Sequence, residues 1–190
     1  MAIAGQTLIH PGTGEQLTFV RTAADTGGAY VEMDFRVAPG GAPAAPHLHP
    51  RSSERFDVHA GAARVRIGAR EVELGPGETA EVPAGAPHTW TAVGEEPLRM
   101  TITLAPALTA EGFFEDLFGM AQAGRVDAKG LPSVLGILTI LYEHPDVVYL
   151  VKPPVAVQKA AARVGGPIGR ALCVLRAARE LRAARVVAAA

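Results

Sequence analysis

The sequence predicts a mainly β fold, a sandwich or barrel that a double-sheet jelly roll would accommodate, followed by an α-helical C-terminal extension. Three observations predict it. Residues 1–106 hold short runs rich in aromatic and β-branched residues, separated by glycine-rich turn signals, which suits a sandwich or barrel. Within those runs apolar and polar residues alternate with a period of two, the pattern of strands with one buried face. After Pro106 the composition shifts to Ala-, Leu- and Arg-rich stretches with helical spacing. The chain therefore divides into a barrel over residues 1–106 and a helical extension over residues 107–190.

The strand candidates are 16–21, 29–37, 54–60, 63–67, 71–74 and 98–104, with turn signals at Gly12–Gly14, Gly27–Gly28, Gly40–Gly41, Gly68, Gly75–Gly77 and Gly94. Val31, Met33, Phe35 and Val37 alternate with Glu32, Asp34 and Arg36, and Leu98, Met100, Ile102 and Leu104 alternate with Arg99, Thr101 and Thr103. In the extension, Thr109 reads as an N-cap with Glu111 in the first turn. Phe113, Phe114, Leu117, Phe118 and Ala121 form an apolar stripe that Gly124 ends. A second helix starts after Leu131-Pro132-Ser133 and stops before Pro145. A third is expected after Pro153-Pro154 and a fourth after Gly165-Gly166-Pro167, four in all. The apolar stripe must be covered, either by the barrel or in a homodimer interface, and a homodimer is expected.

The chemistry is concentrated in two glycine-framed blocks. His47, His49 and Glu54 lie in the first, between Gly41 and Gly61, and His88 closes the second, which begins at Gly77 and passes through Pro83 and Gly85. Pro46 and Pro50 flank the histidine pair and disfavour helix. On an extended segment residues two apart point the same way, so His47 and His49 share a face. Glu54, Phe56 and Val58 likewise share one, as do His88 and Trp90. Three imidazoles and one carboxylate form a mixed N/O set suited to a borderline divalent ion: Fe, Mn, Ni, Co, Cu or Zn. The remaining histidines, His10, His59 and His144, have no such frame and read as structural or solvent-facing.

These blocks resemble the two signature motifs of the cupin superfamily. Gly41, His47, His49, Glu54 and Gly61 fit G-x5-H-x-H-x4-E-x6-G at every position. Gly77, Pro83, Gly85 and His88 fit G-x5-P-x-G-x2-H-x3-N, with Ala92 in place of the terminal Asn. The resemblance spans roughly residues 5 to 106 and implies a double-stranded β-helix holding one metal ion on His47, His49, Glu54 and His88. The missing Asn is not a ligand in that family, so the ligand set is unaffected.

Composition limits the partners. The net charge of -1 gives the whole chain no polyanion-binding balance. Residues 1–152 hold 11 basic and 18 acidic side chains and residues 153–190 hold 7 and 1, balances of -7 and +6. Arg176, Arg179, Arg182 and Arg185 repeat every third residue. Such a helix suits either an anionic membrane or nucleic acid, or docking on the acidic barrel or a second subunit. Without Trp or Phe as an anchor the docking role is preferred, and no nucleic acid is expected as a partner. No apolar run reaches the length of a membrane span. One cysteine, Cys173, excludes an intrachain disulfide, and the N-terminus lacks the pattern of a signal peptide, so a cytoplasmic location is expected.

Four protein ligands leave a divalent ion with open positions and a net charge of +1. Phe35, Phe56, Val58, Trp90, Met100 and Ile102, with Met33, are candidate walls of an apolar pocket for a small-molecule substrate. Arg64 and Arg66 alternate with Val65 and Ile67 and read as solvent-facing, so no basic cluster holds a phosphate. Glu81 reads as a solvated carboxylate. Ser52, Ser53 and Cys173 have no base at a diagnostic spacing, so no catalytic side chain is assigned and no organic cofactor is expected. The ligand set resembles that of cupin dioxygenases, which implies a metal-dependent oxygenase acting on a small apolar or aromatic substrate. The alternative is a non-catalytic module that binds a metal or small molecule, with helices that mediate contacts.

Overall fold

The computed structural model describes residues 2–41, 45–128 and 130–188, the last of these with side chains as far as Cys173. In chain order the strands are β1 (Thr7–Ile9), β2 (Gln16–Arg21), β3 (Val31–Val37), β4 (His47–Leu48), β5 (Ser53–Ala60), β6 (Ala62–Ile67), β7 (Arg70–Leu74), β8 (Thr79–Val82), β9 (His88–Val93), β10 (Leu98–Ala105) and β11 (Tyr149–Leu150). They form two antiparallel sheets, ordered β1-β2-β3-β10-β5-β8 and β11-β4-β9-β6-β7. The alternation in the sequence sets which side chains meet between them. Leu98, Met100, Ile102 and Leu104 of β10 are buried, and so are Val31, Met33, Phe35 and Val37 of β3. They join Val65, Trp90 and Ala92 of the opposite sheet in one core. Asp34, on the other face of β3, is buried as well and is held by Arg99 Nε at 3.2 Å.

The first helix, α1 (Ala110–Gln122), has Thr109 at its N-cap position but no side-chain cap there. Glu111 ties the helix start to the barrel instead, accepting from the Ala23 amide at 2.6 Å. Phe118 is buried, Phe113, Phe114 and Leu117 pack against the barrel core, and the Phe114 ring sits 5.8 Å from Phe35. The barrel thus covers one side of the apolar stripe: Phe118 and Ala121 are buried, and Phe113, Phe114 and Leu117 remain partly exposed.

α2 (Val134–Glu143) begins at Ser133, whose hydroxyl accepts from the Gly136 amide at 3.2 Å. The chain then forms β11 and enters α3. The expected third and fourth helices are one continuous helix, α3 (Val155–Ala188), with Pro167 inside it, so the described extension has three helices rather than four. The glycines there mark a contact and not a break. Gly165, Gly166 and Gly169 are the contact stripe against α2. A Cβ on Gly165 would lie 2.6 Å from Leu138 Cδ1, one on Gly166 would lie 2.5 Å from Tyr142 Cγ, and one on Gly169 would collide with Thr139 Oγ1. The two helices approach so closely that only hydrogen fits, and their packing outweighs the low helix propensity of glycine and the donor lost at Pro167. The repeat Arg176, Arg179, Arg182 and Arg185 lies outside the residues whose side chains are described. No helix among the described residues is long and apolar enough to cross a membrane.

Candidate metal centre

Strand pairing brings the two blocks together. β4 pairs with β9 so that His47 stands directly opposite His88, their ring centroids 4.2 Å apart. His49 follows β4, and its carbonyl accepts from the Gly85 amide at 2.7 Å, which links the turn before β9 to the first block. Glu54 enters from β5 in the other sheet, beside Val82 and Leu104. At the far end of β5, Gly61 makes the turn into β6 with φ +68°, and a Cβ there would meet the Pro97 carbonyl oxygen at 2.6 Å. Both the conformation and the space require glycine.

One ligand atom from each of His47, His49, Glu54 and His88 lies within 4.8 Å of the others. Each imidazole is fixed by a backbone carbonyl: His47 Nδ1 contacts Ala45 O at 2.7 Å, His49 Nδ1 contacts Val147 O at 2.6 Å and His88 Nδ1 contacts Ala86 O at 2.9 Å. A carbonyl oxygen only accepts, so each Nδ1 carries a proton. In the neutral rings this leaves the Nε2 lone pair free, the arrangement in which histidine ligates metals.

The centre is short of positive charge. Glu54 Oε2 lies 2.5 Å from His88 Nε2 and 3.3 Å from His49 Nε2, and all three atoms are buried without a well-formed hydrogen bond. A carboxylate and imidazole lone pairs aimed at one point repel unless a cation or a proton sits among them. Burial would push the Glu54 carboxyl up, but the His49 and His88 imidazoles outweigh it and hold Glu54 below the usual carboxylate range. For His88 burial acts downward, and the Glu54 carboxylate overrides it and raises the imidazole. Burial pulls His47 down to about 4, more than the attraction of Glu54 restores. The donor set therefore fits one divalent ion, with His47, partly exposed, on the solvent side and the other three buried.

Phe35, Phe56, Val58, Trp90, Met100 and Ile102 are all buried in the core behind the centre, and the Phe56 ring lies 6.4 Å from that of His88. Ala92, where the motif has Asn, packs in the same core. Arg64, Arg66 and Glu81 are exposed. His59 is exposed and bonded to Thr101, whereas His10 and His144 are buried structural residues bonded to Gly130 and Asp116. Ser52 Oγ donates to the Pro106 carbonyl and is taken up structurally. Sequence reasoning misses the contribution of the extension: Val147, 98 residues from His49, supplies its carbonyl contact, and β11 pairs with β4. A backbone carbonyl leaves no trace in residue identity, and a two-residue strand gives no periodicity.

A two-sheet jelly roll with a His3Glu cluster between its sheets defines a class of small β-barrel proteins. Residues 33–104 match the family described as the cupin domain, and a largely helical portion follows the matched strands. No curated protein matches the sequence. Among solved structures, KdgF from Halomonas sp. is 21% identical over 53% of this chain and 86% of its own, with a TM-score of 0.46. TT1209 from Thermus thermophilus is 29% identical over 42% of this chain and 75% of its own, with a TM-score of 0.40. The polyketide cyclase RemF from Streptomyces resistomycificus is 22% identical over 55% of this chain and 78% of its own, with a TM-score of 0.45.

Proposed function

We propose that this protein holds one divalent metal ion on His47, His49, Glu54 and His88 and acts as a metal-dependent oxygenase of the dioxygenase kind on a small apolar or aromatic substrate. The observation that carries the metal reading is the convergence of four ligand atoms within 4.8 Å, three of them buried without hydrogen-bond partners. A redox-active ion there would bring O2 and a chelating substrate oxygen together at its open positions. The chain's own residues orient and exclude. The three carbonyl contacts hold the imidazole rings, Glu54 supplies the anionic charge, and Phe56 and its neighbours keep water from the inner side. Partly exposed His47 marks the side from which substrate would approach.

Elemental analysis of the wild type beside a His47→Ala, His88→Ala double variant tests the metal reading. About one equivalent of metal per chain, absent from the variant, is expected. No uptake by the wild type after reconstitution would overturn it. Oxygen uptake with aromatic diols and enols then tests the oxygenase reading, and no uptake with any redox-active ion loaded would overturn that part alone. The tight packing of Phe56, Val58, Met100 and Ile102, each at most 2% exposed, favours the second reading, a non-catalytic metal- or ligand-binding cupin. The same oxygen screen separates the two.

A further inference from the structure

We propose that the segment His144–Val151 of the helical extension is a positioning element of the metal centre, so that docking of the extension on the barrel sets metal affinity. This rests on the metal reading above. The segment meets the ligand strand at three consecutive points. The Val147 carbonyl, in a residue 2% exposed, accepts from His49 Nδ1 at 2.6 Å. Tyr149 and Leu150 of β11 pair with Leu48 and His47. The Val151 amide donates to the Pro46 carbonyl at 3.1 Å. Both ligand histidines of β4 and its flank are thus backed by chain from the extension, whereas the carbonyls that face His47 and His88 come from residues two positions before each.

Other residues fix the segment. Gln158 of α3, 5% exposed, accepts from the Leu150 amide at 3.1 Å and donates to the carbonyls of Leu150 at 2.7 Å and Pro153 at 2.6 Å. The Tyr149 hydroxyl donates to the Pro145 carbonyl at 2.7 Å. Asp116 of α1 accepts from His144 at 2.9 Å. The contact that selects the His49 tautomer therefore depends on all three helices being docked. If Val147 withdraws, the Nδ1 proton of His49 loses its acceptor and the ring is free to turn or change tautomer. Partners of this kind typically contribute about 10- to 100-fold in metal affinity.

The test uses the full chain with cobalt(II) as the probe. Gln158→Ala removes the clamp, Tyr149→Phe weakens the same segment more gently, and Leu8→Ala on the far sheet edge serves as a purely structural control. Two quantities are read: the cobalt(II) dissociation constant by chelator competition, and the tautomer and exchange protection of the His49 ring by long-range 15N–1H NMR on the metal-free protein. Gln158→Ala is expected to bind cobalt(II) about 10- to 100-fold more weakly and to lose the protected His49 Nδ1–H signal. Tyr149→Phe should change both in the same direction by less, and it decides the matter if Gln158→Ala does not fold. Leu8→Ala should lower the melting temperature and leave cobalt(II) affinity unchanged. Wild-type affinity and an unchanged His49 signal in both segment variants overturn the positioning role. If the wild type itself takes up no cobalt(II), the metal reading falls and this inference with it; uptake by the wild type with insensitive variants removes this inference alone.

Discussion

Acidifying the metal-free protein tests the electrostatics of the cluster at one residue. Burial holds the His47 imidazole at about 4, against an ordinary 6.5. Between those values the unfolded chain takes up a proton here that the folded chain refuses. The His47 contribution to stability is therefore fully present above 6.5 and is lost as pH falls towards 4. A gap of that size corresponds to about 3 kcal/mol at ~1.4 kcal/mol per pH unit, and partial exposure of the ring to solvent brings the figure to about 2 kcal/mol. In a chain of this length that is a change in melting temperature of about 4–8 °C. His88 works with the opposite sign in another window: being raised by Glu54, it stabilises fully below its ordinary 6.5 and loses that contribution as pH rises through its folded value. It therefore does not mask His47 in the acid window. The assay is urea unfolding of chelator-treated wild type and His47→Gln at steps from pH 7 to pH 4. The wild type should lose about 2 kcal/mol relative to the variant over that range. A difference constant to within about 0.5 kcal/mol would refute the burial argument.

Adding metal should stabilise the wild type by about 2.7 kcal/mol at a hundredfold excess over the dissociation constant, with a matching fall on chelation and no response in His88→Ala, read by thermal melting. Because the ligating imidazoles must be neutral, that stabilisation should shrink as pH falls, which titrations at several pH values would show. Gly166→Ala forces a methyl against Tyr142 and should cost about 1–3 kcal/mol in urea, whereas Gly119→Ala, where a Cβ meets nothing within 4 Å, should cost nothing or stabilise. Ile102→Ala opens a cavity in the core behind the centre and should cost about 2–5 kcal/mol by the same measurement.

The barrel is legible in the sequence because its chemistry is local. Alternation in β3 and β10 is enough to name the buried face, since a strand offers only two. The ligand set is legible for the same reason: H-x-H on an extended segment must present both rings to one side, and the glycines at 61, 77 and 85 fix turns of positive φ. What the sequence conceals is long-range. Gly165-Gly166-Pro167 has the composition of a helix end, and nothing nearby shows that Leu138, Thr139 and Tyr142 will lie against it. β1 and β8 are short edge strands whose pairing is decided by their neighbours.

The His-x-His and Glu positions specify which atoms can meet, but the protonation pattern that would let them ligate a metal is set by three carbonyls. Two belong to residues two positions before the motif histidines, Ala45 and Ala86, and so are local to the blocks themselves. The third, from Val147, exists only because β11 and α3 return to the ligand strand, and it is held through Gln158 and Tyr149 of the extension as well as by the barrel, where Arg51 binds the neighbouring Asp146 at 3.0 Å. A barrel carrying both motifs but a different C-terminal segment would keep all four ligands and still differ at His49. In such chains metal affinity should vary with the extension at constant ligand identity, and that variation would be invisible to any reading confined to the two motifs.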